Sequence, residues 1–115
     1  MALVTPPQLL PGTEYVAAGG TVAADSIAIP LTALPNLTAE EVDPATGNGA
    51  KMLYEIIKEA SVNYNALAAS AKSPRLSLTS NNPVSAGATL VSKTYSVTVQ
   101  LDISGADVAD EPVTT

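Results

Sequence analysis

The chain has 115 residues, room for one domain with one modest core, and with no Phe or Trp and only four Tyr that core must come mainly from Leu, Ile, Val and Ala. Formal net charge is −6, from 11 acidic and 5 basic residues; Lys51, Lys58, Lys72, Arg75 and Lys93 are too dispersed in sequence to make a phosphate-neutralising patch, which argues against a nucleic-acid partner. Cysteine and histidine are both absent, which removes disulfides, thiol nucleophiles, thiolate metal sites, the commonest general base and every His-dependent triad.

No apolar run approaches the roughly 20 residues that cross a bilayer. Pro6, Pro7 and Pro11 break up the N-terminus, which also lacks a basic leader region. A protein that is soluble, made inside the cell and away from membranes is the expectation.

Residues 1–24 carry three prolines, the Gly19-Gly20 pair and no sustained periodicity. Proline fixes φ and removes a donor, so residues 1–12 are expected as an extended arm and not as a helix or a central strand. The arm is nevertheless apolar, with Leu3, Val4, Leu9, Leu10, Tyr15 and Val16, and a disordered linker normally is not. Two readings stay open: an arm that packs on its own domain, and an arm that lies across a neighbouring subunit through Leu3, Val4, Leu9 and Leu10.

Over 25–31, Ile27, Ile29 and Leu31 alternate with Ser26, Ala28 and Pro30, a short strand placed at a sheet edge by its proline. Thr38 lies three residues before Glu41, the capping-box spacing, which predicts one helical turn stopped at Asp43-Pro44. The loop 43–49 lacks the alternating Asp pattern and the bidentate Glu of a calcium loop. It reads instead as a turn in which Gly47 and Gly49 supply positive φ and Thr46 or Asn48 caps the next helix.

The periodicity then predicts one long helix over 50–71. Leu53, Ile56, Ile57, Ala60, Tyr64 and Leu67 form its apolar stripe, and Lys51, Glu55, Lys58, Glu59 and Asn63 its wet side. Pro74 ends it, and the period changes from 3.6 to 2. Leu76 and Leu78 point inward from a strand over 75–79. Tyr95, Val97, Val99, Leu101 and Ile103 form the dry face of a longer strand within 90–103, against which the stripe of Leu53, Ile56 and Ile57 is expected to pack. Ala106 to Thr115 reads as an acidic tail. The expected fold class is α+β, one long helix on a small antiparallel sheet, with an N-terminal arm (1–24), a single domain (25–105) and a tail (106–115).

Motifs for chemistry are missing. The chain contains no Gly-x-Ser-x-Gly, no Ser-x-x-Lys, no Gly-rich phosphate loop and no His-Glu-x-x-His. Glu40/Glu41 and Glu55/Glu59 are explained by capping and ion pairing, and Asn36-Leu-Thr38 by a turn. The residues therefore predict no catalytic, metal or cofactor site.

The proline-containing apolar arm, Asp25-Ser-Ile-Ala-Ile-Pro-Leu31, Thr38-Ala-Glu-Glu-Val-Asp-Pro-Ala-Thr-Gly-Asn-Gly49, one helix and Lys93-Thr-Tyr-Ser-Val-Thr-Val-Gln-Leu-Asp-Ile-Ser-Gly105 together form a layout. Over most of the chain it resembles the short virion structural proteins of tailed phages that infect marine cyanobacteria. The resemblance implies a non-enzymatic capsid decoration or cement subunit, made in the host cytoplasm and held on the outer capsid surface. Its partners would be the major capsid protein and other copies of itself, with a trimer among the states. A tail or neck subunit, or a small module binding a host protein or glycan, are the alternatives; the lack of Trp and Phe counts against a glycan.

Overall fold

A computed structural model describes residues 3–101. In chain order its elements are helix α1 (Pro6–Leu9), strands β1 (Glu14–Val16) and β2 (Ser26–Ala28), a 3-10 turn (Leu31–Ala33), helix α2 (Gly49–Asn65), a second 3-10 turn (Ala69–Ala71), and strands β3 (Leu76–Ser80), β4 (Val84–Ser85), β5 (Val91–Ser92) and β6 (Tyr95–Val99). The strands pair antiparallel as three separate hairpins, β1 with β2, β3 with β6 and β4 with β5. The fold is α+β, with one long helix and small antiparallel sheets. The expected acidic tail and Ile103 lie outside the described residues.

The N-terminal segment is not extended throughout, as the prolines led one to expect. Pro6 and Pro7 occupy the first turn of α1, where the missing N–H groups have no intrahelical acceptor in any case. Gln8 Oε1 accepts from the Thr5 N–H at 2.8 Å, and the Leu10 N–H donates to the Pro6 carbonyl. Beyond that turn, β1 pairs Tyr15 with Ile27 and Val16 with Ser26.

The main core lies apart from the large hairpin. Leu10, Ala33, Leu34 and Leu37 are buried together, with Leu9, Ile29, Val42, Ile56 and Ala60 packed around them. Period-based reasoning misses Ala33, Leu34 and Leu37. Their signal is the recurrence of Leu31, Leu34 and Leu37 every three residues, the 3-10 spacing, directly after Pro30.

Around residues 38–49 local bonds replace regular structure. Thr38 N–H donates to Glu41 Oε1 and Glu41 N–H to Thr38 Oγ1, so the capping box forms, closing a turn and not a helix. Asp43 Oδ1 accepts from the N–H groups of Ala45 and Thr46, which occupies the carboxylate locally. Gly47 is required for close approach and not for positive φ: a Cβ there would stand 2.6 Å from the Asp43 carbonyl oxygen and closer still to that of Glu41. Asn48 then caps α2, its side chain accepting from the Lys51 N–H at 3.1 Å.

Helix α2 ends at Asn65, short of the expected residue 71, and its buried face is rotated from the expected one. Leu53 is 57 % exposed, whereas Glu55 is buried. Ile56 and Ala60 turn to the Leu10–Leu34 core, while Tyr64 meets β3. In the hairpin Leu78 is buried, yet Val97 and Val99 on the expected dry face are 50 % and 52 % exposed. The helix and sheet are neighbours without closing on each other.

Candidate functional site

The gap between them is a groove of about 570 Å³. Helix α2 gives it Ile57 and Ala60, the hairpin gives Leu76, Leu78, Val97 and Val99, and the N-terminal segment closes one side. Apolar groups dominate its walls, and Ser73, Arg75 and Gln100 are its polar members. The cross-strand pairs Leu76–Val99 and Leu78–Val97 put four apolar side chains on one face of the hairpin, and Ser77, Thr79, Ser96 and Thr98 put hydroxyls on the other.

The four arm residues separate here. Leu3 is 85 % exposed and Val4 half-buried, and both line the groove. Leu9 also reaches the groove, but it packs on the core and its carbonyl accepts from Asn63 Nδ2 at 2.7 Å. Leu10 is part of the core. Leu3 and Val4 thus line the open groove, while Leu9 and Leu10 tie the segment to its own domain. Sequence reasoning could not divide the arm, because the division depends on Asn63, 54 residues away.

One end of the helix–hairpin junction is ionic and aromatic. Glu55 is buried with Lys58 Nζ 2.7 Å from its Oε1, at angles poor for a hydrogen bond, and Glu59 stands 3.7 Å from the same ammonium. The Glu55 carboxylate raises the Lys58 pKa above its ordinary value, against the opposing effect of burial. Tyr54 and Tyr95 meet edge to face with ring centroids 5.7 Å apart. Burial, and then the Tyr54 hydroxyl, raise the Tyr95 pKa. Glu55, Lys58 and Glu59 were expected on the wet side of α2; here they adjoin the Tyr54–Tyr95 contact that fastens α2 to the start of β6.

At the other end the Tyr64 hydroxyl lies 2.8 Å from the Leu76 carbonyl and 2.9 Å from that of Ser73, and its one proton is shared between them. Asn65 Nδ2 donates to the Leu78 carbonyl at 3.2 Å. Among the described residues no three His, Cys, Asp or Glu side chains gather as a metal site would need, and no helix is long and apolar enough to cross a membrane. What the arrangement offers chemically is burial of apolar side chains beside a strand. No protein family, curated protein or solved structure matches the chain.

Proposed function

We propose that this protein is a non-enzymatic virion subunit, a capsid decoration or cement protein that binds the outer capsid surface and stabilises contacts between major capsid proteins. The observation that carries the reading is the distribution of apolar surface. Six apolar side chains are buried among the described residues, while Leu3, Val97, Val99 and Leu101 are half or more exposed, three of them on the walls of one groove. A surface of that kind is stabilised by cover, at about 25 cal/mol per Å² of apolar area removed from water before ordering costs. Many copies on a shell, or association between copies, add avidity to a weak individual contact. The lack of His and Cys and of any nucleophile motif supports a role without catalysis.

Purified virions of the phage that encodes the protein provide the test. Quantitative mass spectrometry is expected to find it in stoichiometric relation to the major capsid protein. A copy number fit for a single ring would move it to the neck or tail, and absence from the particle would overturn the virion reading.

A further inference from the structure

The two edges of the large hairpin are treated differently. Gln100 N–H donates to the Arg75 carbonyl at 2.8 Å and Asn81 N–H to that of Thr94 at 3.1 Å. With the register Leu76–Val99, Leu78–Val97 and Ser80–Tyr95, the ladder bonds therefore run through residues 75, 77, 79 and 81 and through 94, 96, 98 and 100. The backbone groups of Leu76, Leu78 and Ser80 point out of one edge, and those of Tyr95, Val97 and Val99 out of the other. Helix α2 seals the first edge, Tyr64 at the Leu76 carbonyl and Asn65 at that of Leu78. On the second edge, the outward groups of Tyr95, Val97 and Val99 have no hydrogen-bond partner among the described residues. Strand β6 also lacks the proline, charge or bulge that usually blunts an open edge.

The strand is also complementary to itself. If a second β6 is laid antiparallel with Val97 on the two-fold axis, Val97 faces Val97 of the second copy, and Tyr95 faces its Val99. All of these point their N–H and C=O groups outward, so they fall into the pairs that exchange both hydrogen bonds. The same register sets Ser96 against Thr98 on the hydroxyl face and keeps every apolar side chain on the groove face. A slip of one residue fails both conditions at once, putting valine against hydroxyl and outward groups against inward ones. Residues 94–101 carry no charge, so the two-fold axis brings no like charges together. Pairing of five-residue edges alone falls short of the roughly 1,200 Å² of a stable interface. The groove of each copy has Val97 and Val99 of the pairing strand in its wall and the 85 % exposed Leu3 among its lining residues, and this adds apolar area on the same face of the hairpin.

We propose that two copies of this chain join through their β6 edges, antiparallel and centred on Val97, into a four-stranded sheet ordered β3–β6–β6–β3. The inference deepens the self-association in the function proposed above and does not depend on the capsid partner. The test uses the full chain alone, by sedimentation equilibrium and thiol cross-linking. Wild type is expected to reach twice the chain mass reversibly as concentration rises. Val97→Pro deletes an outward N–H while leaving the ladder to β3 intact, and is expected to sediment as a monomer with cooperative melting retained. The chain has no cysteine, so Val97→Cys carries a single thiol. The two Cα atoms of such a pair stand about 5.5 Å apart, within disulfide reach. Val97→Cys is expected to oxidise to a covalent dimer much faster than Val62→Cys, whose site on α2 is 57 % exposed. A wild-type chain monomeric at its highest soluble concentration, a dimer untouched by Val97→Pro, or cross-linking no faster at 97 than at 62 would each overturn the proposal. Particle binding is measured separately: a monomer found in virions ends the edge pairing and spares the virion reading, and a dimer absent from virions does the reverse.

Discussion

At single positions, backbone approach and core packing decide what substitution costs. A methyl group at Gly47 meets two carbonyl oxygens fixed by the turn, and neither is a flexible side chain that can swing away. Gly47→Ala is expected to cost about 1–3 kcal/mol in urea unfolding, while Gly49→Ala, with nothing within 4 Å, is expected to be close to neutral. Leu34, 3 % exposed in the middle of the core, contrasts with Val99 at 52 %. Leu34→Ala is expected to lose about 2–5 kcal/mol. Val99→Asp, which the alternating pattern alone would call fatal, is expected to remain folded in the isolated chain with a cooperative melt, because its carboxylate stays hydrated.

At the level of elements, polar side chains hold the packing together where apolar area is scarce. Tyr64→Phe removes the donor shared by the Leu76 and Ser73 carbonyls and is expected to cost about 1 kcal/mol, read from the shift in the urea midpoint at constant slope. The 38–49 segment responds to acid. The Lys51 ammonium first, and the Thr38 N–H next, hold the Glu41 carboxyl below its ordinary pKa. A carboxyl depressed by folding contributes fully above its unfolded value, about 4.3, and loses that contribution as pH falls through the lower folded value. The melting temperature is expected to drop on acidification below about pH 4, and Glu41→Gln to flatten that drop. How legible these elements were depends on the range of the forces that set them. The capping box at Thr38, a cap at Thr46 or Asn48, the long helix and the strands within 75–79 and 90–103 rest on local spacing and could be read directly. The buried Glu55, the exposed Leu53 and the sealed edge of β3 depend on how α2 is rotated against distant partners, which periodicity does not specify. Of the groove, Leu3 and Val4 were legible as apolar residues without a local partner; Val97 and Val99 were legible as a face but not as an uncovered one.

For the molecule as a whole, the N-terminal segment is half structural and half free. Leu10 belongs to the core and the Leu9 carbonyl is bound by Asn63, so deleting residues 2–12 is expected to lower the melting temperature markedly. Deleting residues 2–4 is expected to leave it nearly unchanged and to weaken attachment to particles lacking the protein. Equal thermal losses in the two truncations would show that Leu3 and Val4 are core cover. The Tyr54–Tyr95 contact carries a practical consequence for all of these measurements. With no tryptophan to absorb transferred excitation, phenol emission and near-ultraviolet dichroism become native optical gauges, and this edge-on pair spans the junction between helix and hairpin. Substituting Tyr54 by Phe isolates the signal of that pair, so the hairpin's coming and going can be followed in an unlabelled chain, separately from melting of the distant leucine core.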